Sequence, residues 1–91
     1  MFKKEIYEEE DFKTHCQPAY DHTVSEANKK GIDLDEYYFS QYVINPLKSK
    51  EMLGMVTYLL DNGEEDTSFY VEILFNADGN IVKTMSEIDQ D

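Results

Sequence analysis

From Asp35 to Met85 the chain repeats one texture, and that repetition limits the possible fold more than any other feature. Tyr37, Tyr38, Phe39, Tyr42, Val43 and Ile44 are the aromatic and β-branched types that suit strands, and Asn45-Pro46 closes the run. A second apolar run, Met52 to Leu60, ends at Asp61-Asn62-Gly63, three residues with turn chemistry. Phe69 to Phe75 and Ile81 to Met85 form a third and a fourth run, joined by Asn76-Ala77-Asp78-Gly79-Asn80. Residues 52 to 85 therefore read as an antiparallel meander of hairpins. Within the third run, Phe69, Val71, Ile73 and Phe75 fall on one face of a strand, and Tyr70, Glu72 and Leu74 on the other. The first set predicts the core. The second mixes apolar and charged groups and leaves apolar surface for a partner or a second copy of the chain, so a homodimer is an expectation.

The first thirty residues have a different period. Tyr20, Val24 and Ala27 stand at the i, i+4, i+7 spacing of a helical stripe. Pro18 suits a first-turn position, and Lys29 and Lys30 precede Gly31, a residue fit for a left-handed cap, so the helix is predicted between these markers. Pro18 also interrupts any continuous helix, and the stretch from Glu5 to Cys16 reads as a further short one. The expectation is an α+β domain over residues 1–91, helical over 5–30 and β-rich over 36–86. Its N-terminal helices pack on a four-stranded antiparallel sheet. A chain of 91 residues builds one modest core.

Charge sets the functional argument. Twenty Asp and Glu face eight basic residues, for a formal net charge of -12, and every basic residue is Lys. Arg supplies the rigid fork preferred for phosphate and base recognition; its absence, with a field that repels the phosphate backbone, argues against direct binding to nucleic acid or an anionic membrane. Such a field attracts basic surfaces. Aromatics at 13% of the chain set it apart from a disordered acidic tail. The lone Cys16 excludes an internal disulfide framework, and neither a signal-peptide core nor a run long enough for a membrane helix is visible, so the cytoplasm is the expected compartment.

Catalytic and metal chemistry find little support. His15, Cys16 and His22 lack the recurrent spacing of a zinc site, and an acidic neighbourhood opposes the lowered thiol pKa that a nucleophilic Cys needs. Asp61 to Glu72 and Asn76 to Glu87 match a calcium loop at first and twelfth positions, but Asp66 and Ile81 stand where the sharp bend requires Gly. No Gly-rich phosphate loop or serine-nucleophile motif is present, and carboxylate pairs arise by chance among so many acids. No enzyme activity and no cofactor are expected.

Any single acidic cluster is equally well read as a solvated face. The excess as a whole is harder to dismiss, because solubility is served by mixed signs and a net charge of magnitude about 2–8. Carboxylates at i and i+2 on a strand lie about 6.5–7 Å apart, comparable with neighbouring phosphates of one DNA strand. In size, charge and lack of Arg, over its whole length, the chain resembles the bacteriophage DNA-mimic proteins, small acidic proteins directed against host DNA-binding proteins. The class shares charge rather than any motif, so no functional residue is carried over. The resemblance implies a partner of the HU type, a dimeric basic nucleoid protein whose DNA-binding surface this chain would occupy in the bacterial cytoplasm. Charge clustering alone ranks the partner-binding candidates: Glu8, Glu9, Glu10 and Asp11, with Asp61, Glu64, Glu65 and Asp66, then Asp33, Asp35 and Glu36. Tyr37, Tyr38 and Tyr42 are candidates for a dimer contact or, more simply, for the sheet core. A rival reading is an inhibitor of a host defence or toxin nuclease, of anti-restriction, anti-CRISPR or immunity type. A third is an accessory subunit whose acidity is incidental.

Overall fold

The computed structural model describes residues 4–60 and 67–90. Its elements are strand β1 (Lys4–Ile6), helices α1 (Glu9–His15) and α2 (Gln17–Lys29), a 3-10 turn (Leu34–Glu36), and strands β2 (Tyr37–Pro46), β3 (Met52–Leu60), β4 (Thr67–Phe75) and β5 (Ile81–Gln90). The strands form one antiparallel sheet in the order β1-β2-β3-β4-β5. The α+β class and the meander are as expected, but the sheet has five strands, not four. Lys4, Glu5 and Ile6 pair with Ile44, Val43 and Tyr42, where a helix over 5–16 was expected. Only Ile6 of the three turns inward, and three residues are too few to show a period of two.

Two helices fill the N-terminal segment, as expected, the first being shorter than the 5–16 stretch assigned to it. Pro18 lacks an N–H and crowds the carbonyl four residues back, and the chain breaks at Cys16, with φ -146° and ψ 61°. The far end of α2 is the predicted one. Gly31, at φ 71°, gives its N–H to Asn28, and Ile32 donates to Ala27 at 2.8 Å, the double bond of a Schellman cap. Two further boundaries move. The 3-10 turn occupies 34–36, where the β-rich region was expected to begin, and β5 runs five residues past Met85, through Ser86-Glu87-Ile88-Asp89, a polar alternation that forms a strand because β4 pairs with it along its length.

Both helices lie on one face of the sheet. Tyr42, Val56, Tyr58, Phe69, Val71 and Ile73 are buried beneath Phe12 of α1 and Ala19 and Ala27 of α2. Phe12 is the only buried side chain of α1; its ring lies 4.7 Å from that of Tyr42, 5.4 Å from Phe39 and 5.9 Å from Tyr20. Polar ties fix α2 to β5: the Ser86 hydroxyl donates to Glu26 at 3.0 Å, and Thr84 meets His22 Nδ1 at 3.1 Å. Burial pushes the Glu26 carboxyl up, but the hydrogen bonds from Lys29 and Ser86 and the charges of Lys29 and Lys30 outweigh it and hold the group below the ordinary carboxylate range. This tie is therefore formed at neutral pH and is lost as pH falls through that lowered value. The opposite face carries no helix. There Val43, Leu53, Met55, Leu59 and Leu74 are half-buried, and Tyr38 and Met85 are exposed.

Gly54 makes the helix-side core possible. A Cβ at this position would stand 3.0 Å from Tyr42 Cε1 and Oη and 3.2 Å from Phe75. Tyr42 has no exposed surface, and its hydroxyl lies 3.4 Å from Cys16 Sγ, so the ring has no free space to yield into. Gly54→Ala is expected to lower stability by about 1–3 kcal/mol, the usual cost of overpacking, read as a fall in the denaturant midpoint at unchanged slope.

Candidate functional site

The sheet register gathers acidic segments that are far apart in sequence. Tyr37 pairs with Leu60 and Tyr38 with Leu59, so the start of β2 lies beside the end of β3. Leu59 pairs with Ser68, and Ser68 with Asp89, carrying the same edge of the sheet across to the end of β5. From the other side Ile6 pairs with Tyr42 antiparallel to β2, which sends the chain after β1 toward this end as well. An open cleft of about 460 Å³ results, lined by Tyr7, Glu8, Glu9, Asp35, Tyr37 and Tyr38, with Lys13 and Tyr20 beneath. The 8–11 and 33–36 clusters thus border one cleft. Asp61, Glu64, Glu65 and Asp66 lie outside the described residues; the flanking Leu60 and Thr67 leave the sheet at this same end.

The carboxylates at the cleft have different duties. Glu9 turns inward and accepts a hydrogen bond from the Tyr58 hydroxyl at 2.7 Å, with Lys13 Nζ 3.9 Å away, so it ties α1 to β3. Asp33 accepts the N–H of Asp35 at 3.0 Å and caps the 3-10 turn. Glu8, Glu10, Asp11, Asp33, Asp35 and Glu36 are exposed. Lys13 is engaged locally, with Nζ 5.0 Å from the Tyr20 ring centre. Two aromatic rings flank the acids: Tyr7 is 57% exposed and Tyr38 51%. The three tyrosines read as core or dimer contact have different places. Tyr42 is in the core, Tyr37 packs half-buried against it, and Tyr38 points to solvent.

Tyr7 enters the cleft just past the end of β1, and Asp89 reaches this end of the sheet in the part of β5 beyond Met85; neither segment has an apolar period that shows it in the sequence. Cys16 lies against Tyr42 and His22 against Thr84, and among the described residues no group of three or more His, Cys, Asp or Glu is placed to hold a metal ion. The 76–87 stretch that matched a calcium loop in part forms the β4–β5 turn and most of β5. No helix among the described residues is long and apolar enough to cross a membrane.

Burial also leaves a titratable signature next to the cleft. Burial first, then the hydrogen bond to Glu9, raises the Tyr58 hydroxyl well above its ordinary value of 10.0; burial and Cys16 do the same to Tyr42. Because the folded state holds both protons, their contribution to stability is complete below the ordinary phenol pKa and is lost as pH rises above it. In an alkaline titration followed at 295 nm, two of the seven tyrosines are expected to ionise only in the step that also abolishes the far-UV circular dichroism. Ionisation of all seven before that step would contradict these environments.

Comparison with protein-family models, with curated proteins and with solved structures finds no match, so the chemistry of this cleft carries the functional reading.

Proposed function

We propose that the acidic end of the sheet occupies the DNA-binding surface of a basic nucleoid protein of the HU type and excludes duplex DNA from it, as the resemblance to bacteriophage DNA-mimic proteins implies. The observation that carries this reading is one cleft lined by Glu8, Glu9 and Asp35, with exposed Glu10, Asp11, Asp33 and Glu36 close to them along the chain, in a sequence of net charge -12 without a single Arg. Proteins grip DNA by releasing counterions from closely spaced phosphates, and a rigid set of carboxylates offers the same exchange. Occlusion of this kind requires no chemistry from the chain, and we assign it no catalytic role and no cofactor. The partner is a protein; its basic surface is drawn in by the same field that repels nucleic acid.

Displacement of a labelled duplex from an HU dimer, followed by fluorescence anisotropy, tests the reading. Competition is expected at about 0.05 M salt and should weaken by about tenfold or more toward 0.3 M, because the contacts are largely ionic. An HU dimer that keeps its DNA at saturating protein would refute it. Exposed Tyr7 and Tyr38 beside the carboxylates favour a second reading, an inhibitor of a defence or toxin nuclease anchored by aromatic contacts. Binding of that type tolerates salt, so the same titration separates the two.

A further inference from the structure

The β5 edge is the most unusual surface left unexplained. It is a ten-residue strand at the margin of the sheet, and three of the exposed large apolar side chains lie on it: Val82 at 54%, Met85 at 49% and Ile88 at 42%. An edge of this length is normally blunted, because its free N–H and C=O groups are a template for another strand. Here the one irregularity falls at Val82, between the pairs Phe75–Ile81 and Leu74–Lys83, and leaves 83–89 in regular register. Lys83, Met85 and Glu87 share the face that carries no helix; Thr84, Ser86 and Ile88 share the other. Lys83 makes no ion pair among the described residues, and Glu87 is held on its face by the Tyr70 hydroxyl at 2.6 Å.

We infer that β5 pairs antiparallel with β5 of a second copy of the chain, about a two-fold axis at Met85, joining two five-stranded sheets into one of ten. Opposed residues in an antiparallel pair share a face. With Met85 opposite its own mate, Lys83 stands opposite Glu87 and Thr84 opposite Ser86, each twice by symmetry, and Ile88 comes beside the bulged Val82. Every exposed apolar group on the strand then meets another, and its one cation meets a carboxylate. Centring the axis on Ser86 instead sets Met85 against Glu87 and Ile88 against Thr84, and loses the apolar matches. Antiparallel pairing also sends the two acidic ends to opposite extremities of the joined sheet, which keeps like charges apart.

Sedimentation equilibrium tests this directly. At about 0.1 mM chain the protein is expected to sediment with the mass of two chains. Lys83→Glu places like charges opposite each other twice and is expected to weaken the dimer by about tenfold or more. The exchange Lys83→Glu with Glu87→Lys restores it to within about threefold. The exchange is specific to this register, because with the axis at Ser86 position 83 faces Asp89, and the exchange would leave two carboxylates opposed. In a Cys16→Ser background, Met85→Cys is expected to yield a disulfide-linked dimer on mild oxidation, since opposed residues of a strand pair lie within disulfide reach. All four positions are at the surface or can be checked for fold by circular dichroism. A single-chain mass at that concentration, a dimer indifferent to Lys83→Glu, or a charge exchange that stays apart would each overturn the inference.

Discussion

Replacing Glu8, Asp35 and Glu36 together by Lys is expected to reduce displacement of duplex DNA from an HU dimer by about 100-fold at low salt. These three residues are exposed: Glu8 and Asp35 line the cleft and Glu36 follows Asp35 in the chain; their side chains have no capping or core contact, so the folded structure should survive. The loss arises because each reversal removes an attraction and sets a cation against a basic surface. A triple variant of equal charge change, Glu51→Lys with Glu72→Lys and Asp78→Lys, lies outside the cleft. When both variants are compared at about 0.15 M salt it should lose far less, because charges more than about 8 Å from the contact are largely screened there. Equal losses in the two variants would mean that only overall charge matters and that the cleft has no special part.

Phe12→Ala is the substitution with the largest expected cost in stability, about 3–5 kcal/mol. Phe12 has no exposed surface and packs on three aromatic rings, and no other side chain of α1 is buried. A domain of this size has about 5–15 kcal/mol in all, so the variant stands near the threshold of folding, with a melting temperature lower by roughly 15–30 °C. Function should fail with it, because α1 and its N-cap Glu8 place Glu8 and Glu9 at the cleft, and without Phe12 the helix keeps only surface ties such as the bond from Tyr58 to Glu9 and the contact of Lys13 with Tyr20. Phe12→Leu, which keeps most of the volume, should cost about 1–1.5 kcal/mol and retain competition. Thermal melts and the displacement assay on both variants separate anchoring of the helix from any direct role of the ring.

Much of this fold is legible in the residues because local signals and tertiary packing agree. The alternation from Phe69 to Phe75 places every inward side chain correctly, and Pro18 and Gly31 mark the ends of α2 through backbone constraints that hold in any context. Legibility ends where an element exists only because of its partner. Lys4–Ile6 is a strand because the edge of β2 receives it, and Ser86 to Gln90 because β4 extends far enough to pair with it. Neither segment has an apolar period of its own. The candidate site shows the same division. The clusters at 8–11 and 33–36 are plain in the sequence, but their sharing of one cleft follows from the path of β1 and the register of β2. Charge counting also gives Glu9 the same weight as Glu8, whereas its carboxylate is turned to Tyr58 and serves the packing of α1.

The most direct test is an amide chemical-shift titration of the isotopically labelled protein with unlabelled HU dimer. Shifts confined to Tyr7 to Asp11, Asp33 to Tyr38 and the neighbouring end of the sheet, and reversed by added salt, are the predicted result. A complex whose shifts fall instead on the turn at 47–50 or on the Leu53, Leu74 and Met85 face, or HU that leaves the spectrum unchanged, would contradict the assignment of the acidic end as the binding surface.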